Sequence, residues 1–186
     1  WVSELGANVE FRPLLPPVVK EPNITDLEMV DNIEVPDAKE MEKGFTGQLM
    51  TRAQDYIQKH TPEKFVPMTY TSDLTGGGAQ LCGVENFIMW SMSERDVVHK
   101  LTEKYTETAI NGAELMAKRY GSAFISTGSV LANNDIFSDT DVEELSAQYL
   151  RTFVNKALMK GAGPQVLYHL CGNHETDYKV FKDRLV

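Results

Sequence analysis

The chain has 186 residues, 24% charged and 42% hydrophobic, with a formal net charge of −9. That length suits one domain with a real core, and the scattered bases provide no Lys/Arg face to neutralise phosphates, which excludes a nucleic-acid binder. The only cysteines are Cys82 and Cys171, the sparse usage of a reducing compartment; no apolar run approaches the roughly 20 residues that span a bilayer, so a cytoplasmic protein is expected.

Trp1 to Asp37 carries Pro13, Pro16, Pro17, Pro22 and Pro36 between polar turns, which predicts an irregular arm rather than a helix. From Met41 to Lys59, Leu49, Met50, Ala53 and Ile57 fall at helical spacing, and Pro62 closes the segment. KFVPMTY, ending at Tyr70, is a short β-prone run. TSDLTGGGAQLCGVENFIMW then reads as a glycine-rich loop entering a helix. Ser93, with Asp96 three residues on, reads as a cap. Behind it Val97, Leu101, Tyr105, Ala109, Gly112, Leu115 and Tyr120 mark a long one-sided helix that Gly121 stops. SAFISTGSV predicts a strand and turn. Thr140 with Glu143 is a second capping signature, followed by Val142, Leu145, Tyr149, Phe153, Ala157 and Leu158 on a helix ending at Gly161 and Gly163. QVLYHLC predicts a further strand, and His174 to Val186 the opening of another helix.

Strand-then-helix units in succession imply parallel strands joined by crossovers. The expected fold class is α/β: an open doubly wound sheet, or part of a (β/α)8 TIM barrel, since three strands cannot close a barrel that takes about 250 residues. Residues 1–186 are thus expected to form one partial barrel domain, with an arm over 1–40 and β/α units over 41–186. Val186 falls mid-pattern and reads as a cut end.

Chemistry concentrates in QVLYHLCGNHE. Residues i and i+2 of a strand share a face, so His169 and Cys171 project together while Tyr168 and Leu170 project to the other side. An imidazole nitrogen and a thiolate so spaced can reach one zinc ion at about 2.0 to 2.3 Å. The pair is half a site, because zinc takes at least three protein ligands for catalysis; Cys82, His174 and Glu175 are available to complete it, and no spacing compels a choice. On spacing alone an ordinary core cysteine and a hydrogen-bonded histidine are the more frequent outcome. Tyr70 and Asp73 follow one strand end and Asn133, Asn134 and Asp135 the next, so both clusters suit a substrate-binding mouth, although turn formation and helix capping explain them equally. Thr75 to Gly78 lacks the spacing of a phosphate loop and is expected to be a flexible loop. Met89 and Met92, one helical turn apart, are expected to fill the core.

LYHLCGNHE resembles the His-x-Cys-Gly-Asn element of the corrinoid-dependent methyltransferases in the uroporphyrinogen decarboxylase superfamily, of the methylcobamide:coenzyme M methyltransferase type. LGANVEF, PPVVKEP and VDNIEVPD are similar to the segment leading into that barrel. CGVENFIMWSMSERDVVHKLTEKYTETAINGAELM resembles its helix pair, and LANNDIFSDTDVEEL its substrate-side loop. The resemblance implies zinc bound by His169 and Cys171, a remaining cysteine ligand beyond Val186, and a chain equivalent to a central slice of the barrel. It implies a methylated corrinoid such as methylcobalamin as donor, delivered free or on a corrinoid protein, and a small thiol acceptor, with self-association through exposed barrel edges as a further expectation. The rival it leaves open is the metal-free decarboxylase chemistry of the same superfamily, and a non-catalytic barrel fragment or interaction module is the other alternative. Arg12 and Arg52 lie away from the strand ends that decarboxylase chemistry would need.

Overall fold

The structure, a computed structural model, describes residues 1–71 and 73–185, so the expectation attached to Val186 lies outside the described residues. A short 3-10 turn, Val2–Leu5, leads into an antiparallel hairpin of β1 (Val9–Arg12) and β2 (Leu15–Val19), with Val9 beside Val19 and Glu10 beside Val18. The arm is therefore more regular than its prolines suggest. Pro16 and Pro17 are tolerated because one amide position falls on the free side of the ribbon and the other where the register shifts between Glu10 and Arg12.

The helix expected from Met41 to Lys59 is divided. α1 (Ala38–Met41) opens with a capping box, Asp37 accepting from the Glu40 amide and Glu40 from the Asp37 amide, and α2 (Phe45–His60) begins after Gly44. The buried face of α2 also differs from the expected one: Gly47, Thr51 and Gln54 are buried, while Leu49 and Ile57 are exposed. Gln54 supplies the reason. Its amide donates to the Met68 carbonyl and accepts from the Met68 amide, both at 2.8 Å, which clamps α2 by its polar side to β3 (Met68–Tyr70).

The glycine run corrects a second expectation. Thr75 to Gly78 is no loop but lies inside α3 (Leu74–Cys82), which is followed by α4 (Val84–Ser93). A Cβ at Gly77 would come within 2.1 Å of the Tyr105 ring, and one at Gly78 within 3.3 Å of Phe87. Glycine at position 77 is thus required by close approach of α3 to the long helix α5 (Arg95–Tyr120), at some cost in helix propensity, while Gly78 packs tightly on α4. Met89 and Met92 are exposed on α4 rather than filling the core. α5 buries Leu101, Tyr105, Ala109, Gly112 and Leu115 as its spacing predicts, and ends at Gly121 with φ 82°. Its N-cap is Glu94, one residue past the expected Ser93.

β4 (Phe124–Ser129) precedes a helix whose cap is the Ser138–Asp141 box rather than Thr140 and Glu143. That helix runs as α6 (Asp139–Val142), one wider π-type turn over Glu143–Ala147, and α7 (Gln148–Met159). Val142, Leu145, Tyr149, Phe153 and Ala157 are buried as expected; Leu158 is exposed. β5 (Val166–Leu170) and α8 (Tyr178–Leu185) complete the described chain.

The strands β3, β4 and β5 form a parallel sheet in that order, pairing Thr69 with Ile125, Tyr70 with Ser126, Thr127 with Tyr168 and Gly128 with His169. One face is closed. Thr69, Ile125, Thr127 and Ser129 are buried there, and Tyr168 and Leu170 pack on the core with the Tyr168 ring 5.3 Å from that of Phe181. The other face is open: Met68, Tyr70, Leu167 and His169 are all exposed. This is a mixed α/β arrangement with β3 and β5 as sheet edges, in keeping with part of a parallel barrel; closure into a ring is not seen.

Candidate metal and substrate site

The carboxyl ends of the three strands are tied together by their own loops. Asp73, at the end of β3, is 2% exposed and caps α3: its Oδ1 accepts from the Thr75 amide at 3.0 Å. Its Oδ2 crosses to the loop after β4 and accepts from the amides of Val130 and Leu131 at 3.0 and 2.7 Å. Burial pushes this carboxyl up, against the pull of the Leu131, Val130, Gly76 and Thr75 amides. Asp73 therefore builds the mouth from within, with its oxygens turned to backbone rather than to a substrate.

A similar tie joins the β4 and β5 loops, and its hub is Asn134. The Asn134 amide donates to the Asn173 carbonyl at 2.8 Å, its side-chain oxygen accepts from the Thr176 and Asp177 amides, and its Nδ2 donates to Asp139. Asn133 has an equally internal task. It is 6% exposed, donates to the Val130 carbonyl at 2.7 Å and accepts from the Asp135 amide at 2.9 Å. Asp135 is exposed and takes a hydrogen bond from Asn173 Nδ2 at 3.0 Å. Of the five residues expected at the substrate mouth, Tyr70 and Asp135 are exposed, while Asp73, Asn133 and Asn134 are spent on holding the loops. Tyr70 also lines a cleft of about 350 Å³ with Phe11, Leu49, Thr71 and Tyr105, between the hairpin, α2 and the end of β3; neither His169 nor Cys171 reaches it.

His169 and Cys171 both lie at the carboxyl end of the sheet. His169 lies on the open face, Cys171 follows β5 immediately, and both are exposed, with neither side chain hydrogen-bonded to another described residue. Cys171 is kept in line with the sheet by its amide, which donates to the Ser129 carbonyl at 2.9 Å. The chain then turns sharply at Gly172, where φ is 106° and a Cβ would come within 3.0 Å of Asn133 Nδ2, so glycine is needed on both counts.

The residues proposed to complete the site do not join the pair. Cys82 is fully buried at the end of α3, where desolvation pushes its thiol up to about 12. His174 turns away, its Nδ1 2.9 Å from Asp177 Oδ1 and its Nε2 3.2 Å from the Cys171 carbonyl oxygen. Among the described residues no group of three or more His, Cys, Asp or Glu side chains is placed to hold a metal ion. As a donor set, an exposed imidazole and an exposed thiol two residues apart fit zinc, and they would supply part of its coordination. The anchor that sequence reasoning missed is Asp177, fully buried beneath His174; the three-residue His/Asp spacing at the start of a helix was its signal. No helix among the described residues is long and apolar enough to cross a membrane.

The profile of the uroporphyrinogen decarboxylase (URO-D) family matches residues 2–182. A solved structure of a methyltransferase from Methanosarcina mazei shares this fold with a TM-score of 0.82 at 18% sequence identity, over 99% of this chain and 52% of that one. The chain thus spans about half the length of that structure. No curated protein matches in sequence.

Proposed function

This chain belongs to the uroporphyrinogen decarboxylase family, and we propose that it serves the family's methyltransferase branch, as part of an enzyme that passes a methyl group from a methylated corrinoid to a small thiol with zinc as cofactor. The observation that carries the reading is the placement of His169 and Cys171, both exposed at the carboxyl end of β5 with no side-chain hydrogen-bond partner among the described residues to occupy them. Zinc, when bound, supplies the positive charge that keeps an acceptor thiol deprotonated at neutral pH. His169 offers a neutral imidazole nitrogen, Cys171 offers a thiolate, and a further cysteine beyond Val186 would complete the protein's share.

The open face beside the pair is where the thiol and the corrinoid would meet. Tyr70 and Asp135 are the exposed polar groups proposed to touch them. The donor would arrive as free methylcobamide or on a corrinoid protein, in the cytoplasm. The exposed edges β3 and β5 are proposed to be covered by further barrel strands or by self-association. The decarboxylase alternative has less to work with: Arg12 sits on the hairpin, donating to the Pro16 carbonyl, and Arg52 on the exposed side of α2, both off the strand ends.

The experiment is metal analysis of the purified chain and of Cys171→Ser, with methylcobalamin demethylation by a small thiol as the activity readout. Zinc in the parent and its loss in the variant are expected. A parent chain that takes up no zinc even when a small thiol is added to fill the coordination that His169 and Cys171 leave open would overturn the reading.

A further inference from the structure

The zinc reading makes Cys171 the most demanding residue of the site, because it lies one residue beyond the last strand position and one before a turn with positive φ. A thiol on an exposed strand end would ordinarily wander, and a metal ligand must not. The Cys171 amide is fixed by Ser129, as an ordinary continuation of the sheet. Its carbonyl is held by something less ordinary.

His174 Nε2 lies 3.2 Å from that carbonyl oxygen. The ring is not free to choose another partner, since Nδ1 faces both carboxylate oxygens of Asp177, at 2.9 and 3.1 Å, and the ring meets Phe181 edge-on with centroids 5.9 Å apart. The side chains of His174 and Asp177 are 6% and 0% exposed. Asp177 is anchored in turn, its amide donating to Asn134 in the loop after β4. A continuous line therefore runs from the Cys171 peptide through His174 and Asp177 to the neighbouring strand's loop. Burying this polar pair is costly unless every member is satisfied, and the line satisfies both ring nitrogens when Nε2–H donates to the Cys171 carbonyl and one further proton is held between Nδ1 and the Asp177 carboxyl.

We propose that His174, oriented by Asp177, is the positioning residue of this site: it clamps the Cys171 carbonyl and so keeps the thiol on the same face as His169. The inference rests on the zinc reading for its purpose, but the clamp itself is a property of the metal-free chain. It also explains why His174, three residues from Cys171, is not a ligand: both its nitrogens are already engaged.

The test compares the parent with His174→Ala and with a double variant, His174→Leu with Asp177→Leu. The double variant removes the buried pair together, so that no orphaned carboxylate drives unfolding if the single variant fails to fold. Two quantities are read: the exchange rate of the Cys171 amide in metal-free protein by NMR, and the zinc dissociation constant by chelator competition at one fixed pH. In a folded variant the amide is expected to exchange about tenfold faster, and zinc to bind about ten- to a hundredfold more weakly. Parent-like exchange together with parent-like zinc affinity would overturn the inference while leaving the zinc reading intact. Parent-like exchange with weakened zinc would also overturn it, by making His174 a ligand instead. Faster exchange in a protein whose parent takes up no zinc would uphold the clamp and remove the zinc reading.

Discussion

Gly128 of β4 stands directly beside His169 of β5 in the parallel ladder. Residues paired across a parallel sheet share a face, so the position next to the imidazole on the open side carries no side chain. Gly128 is itself buried, so a side chain placed there would push against its neighbours beside the imidazole. Replacing Gly128 by leucine is expected to crowd His169 and to weaken zinc binding about tenfold or more, measured by chelator competition. Unchanged affinity in a folded Gly128→Leu protein would mean that the space beside the imidazole has no role in binding.

The cysteines should differ sharply in reactivity. Cys171 is exposed, whereas Cys82 is buried with its thiol pushed up to about 12, so little thiolate exists at pH 8. Iodoacetamide at that pH is expected to add one label to the native chain, at Cys171, and a second only after denaturation; zinc should slow the first. Mass spectrometry of the digested protein reads both sites. Equal labelling of Cys82 in the native state would contradict the packing of α3.

The glycines of α3 offer a stability test. A Cβ at Gly77 would lie 2.1 Å from Tyr105 Cε1, and that ring is 3% exposed with its hydroxyl 3.2 Å from Thr71 Oγ1, so it has nowhere to move. Gly77→Ala is expected to cost about 3 kcal/mol or more in urea unfolding, as overpacking does at its upper end. Gly121→Ala, where φ is 82° but nothing lies within 4 Å, should cost only about 1 kcal/mol of backbone strain. If the two variants were equally stable, the close α3–α5 approach would be wrong.

Asp73 should be structural. Removing it in Asp73→Ala strands the amides of Thr75, Val130 and Leu131, which its carboxylate now satisfies. A loss of about 3 kcal/mol is expected, and Asp73→Asn, which keeps one acceptor oxygen, should lose less. A parent-like unfolding midpoint for Asp73→Ala would instead free this residue for the substrate role its position first suggested.

Much of this architecture could be read in the sequence, and the misses share a cause. α5 was legible from Val97 to Gly121 because its apolar stripe is long and its stop is a glycine with positive φ. β5, with Tyr168 and Leu170 turned to the core and His169 to the open face, followed from a period of two alone. Spacing failed where a polar or tiny side chain does the packing: α2 turns inward on Gly47, Thr51 and Gln54, not on Leu49 and Ile57. The run Gly76 to Gly78 read as a loop because glycine is a poor helix former; only the distant Tyr105 and Phe87 make it a helix. Within the site, Asp73 and Asn133 had the right location and the wrong task, since a sequence shows which strand end a residue follows and not which amides wait across the gap.

The most direct measurement is zinc-edge X-ray absorption of the zinc-loaded chain, set beside the same spectrum of Cys171→Ser. A sulfur shell at about 2.3 Å and an imidazole nitrogen at about 2.0 Å are expected in the parent, with the sulfur shell gone in the variant and the imidazole signal gone in His169→Ala. A parent spectrum with only oxygen or nitrogen neighbours, or a sulfur shell that survives Cys171→Ser, would contradict the assignment of His169 and Cys171 as the metal-binding pair.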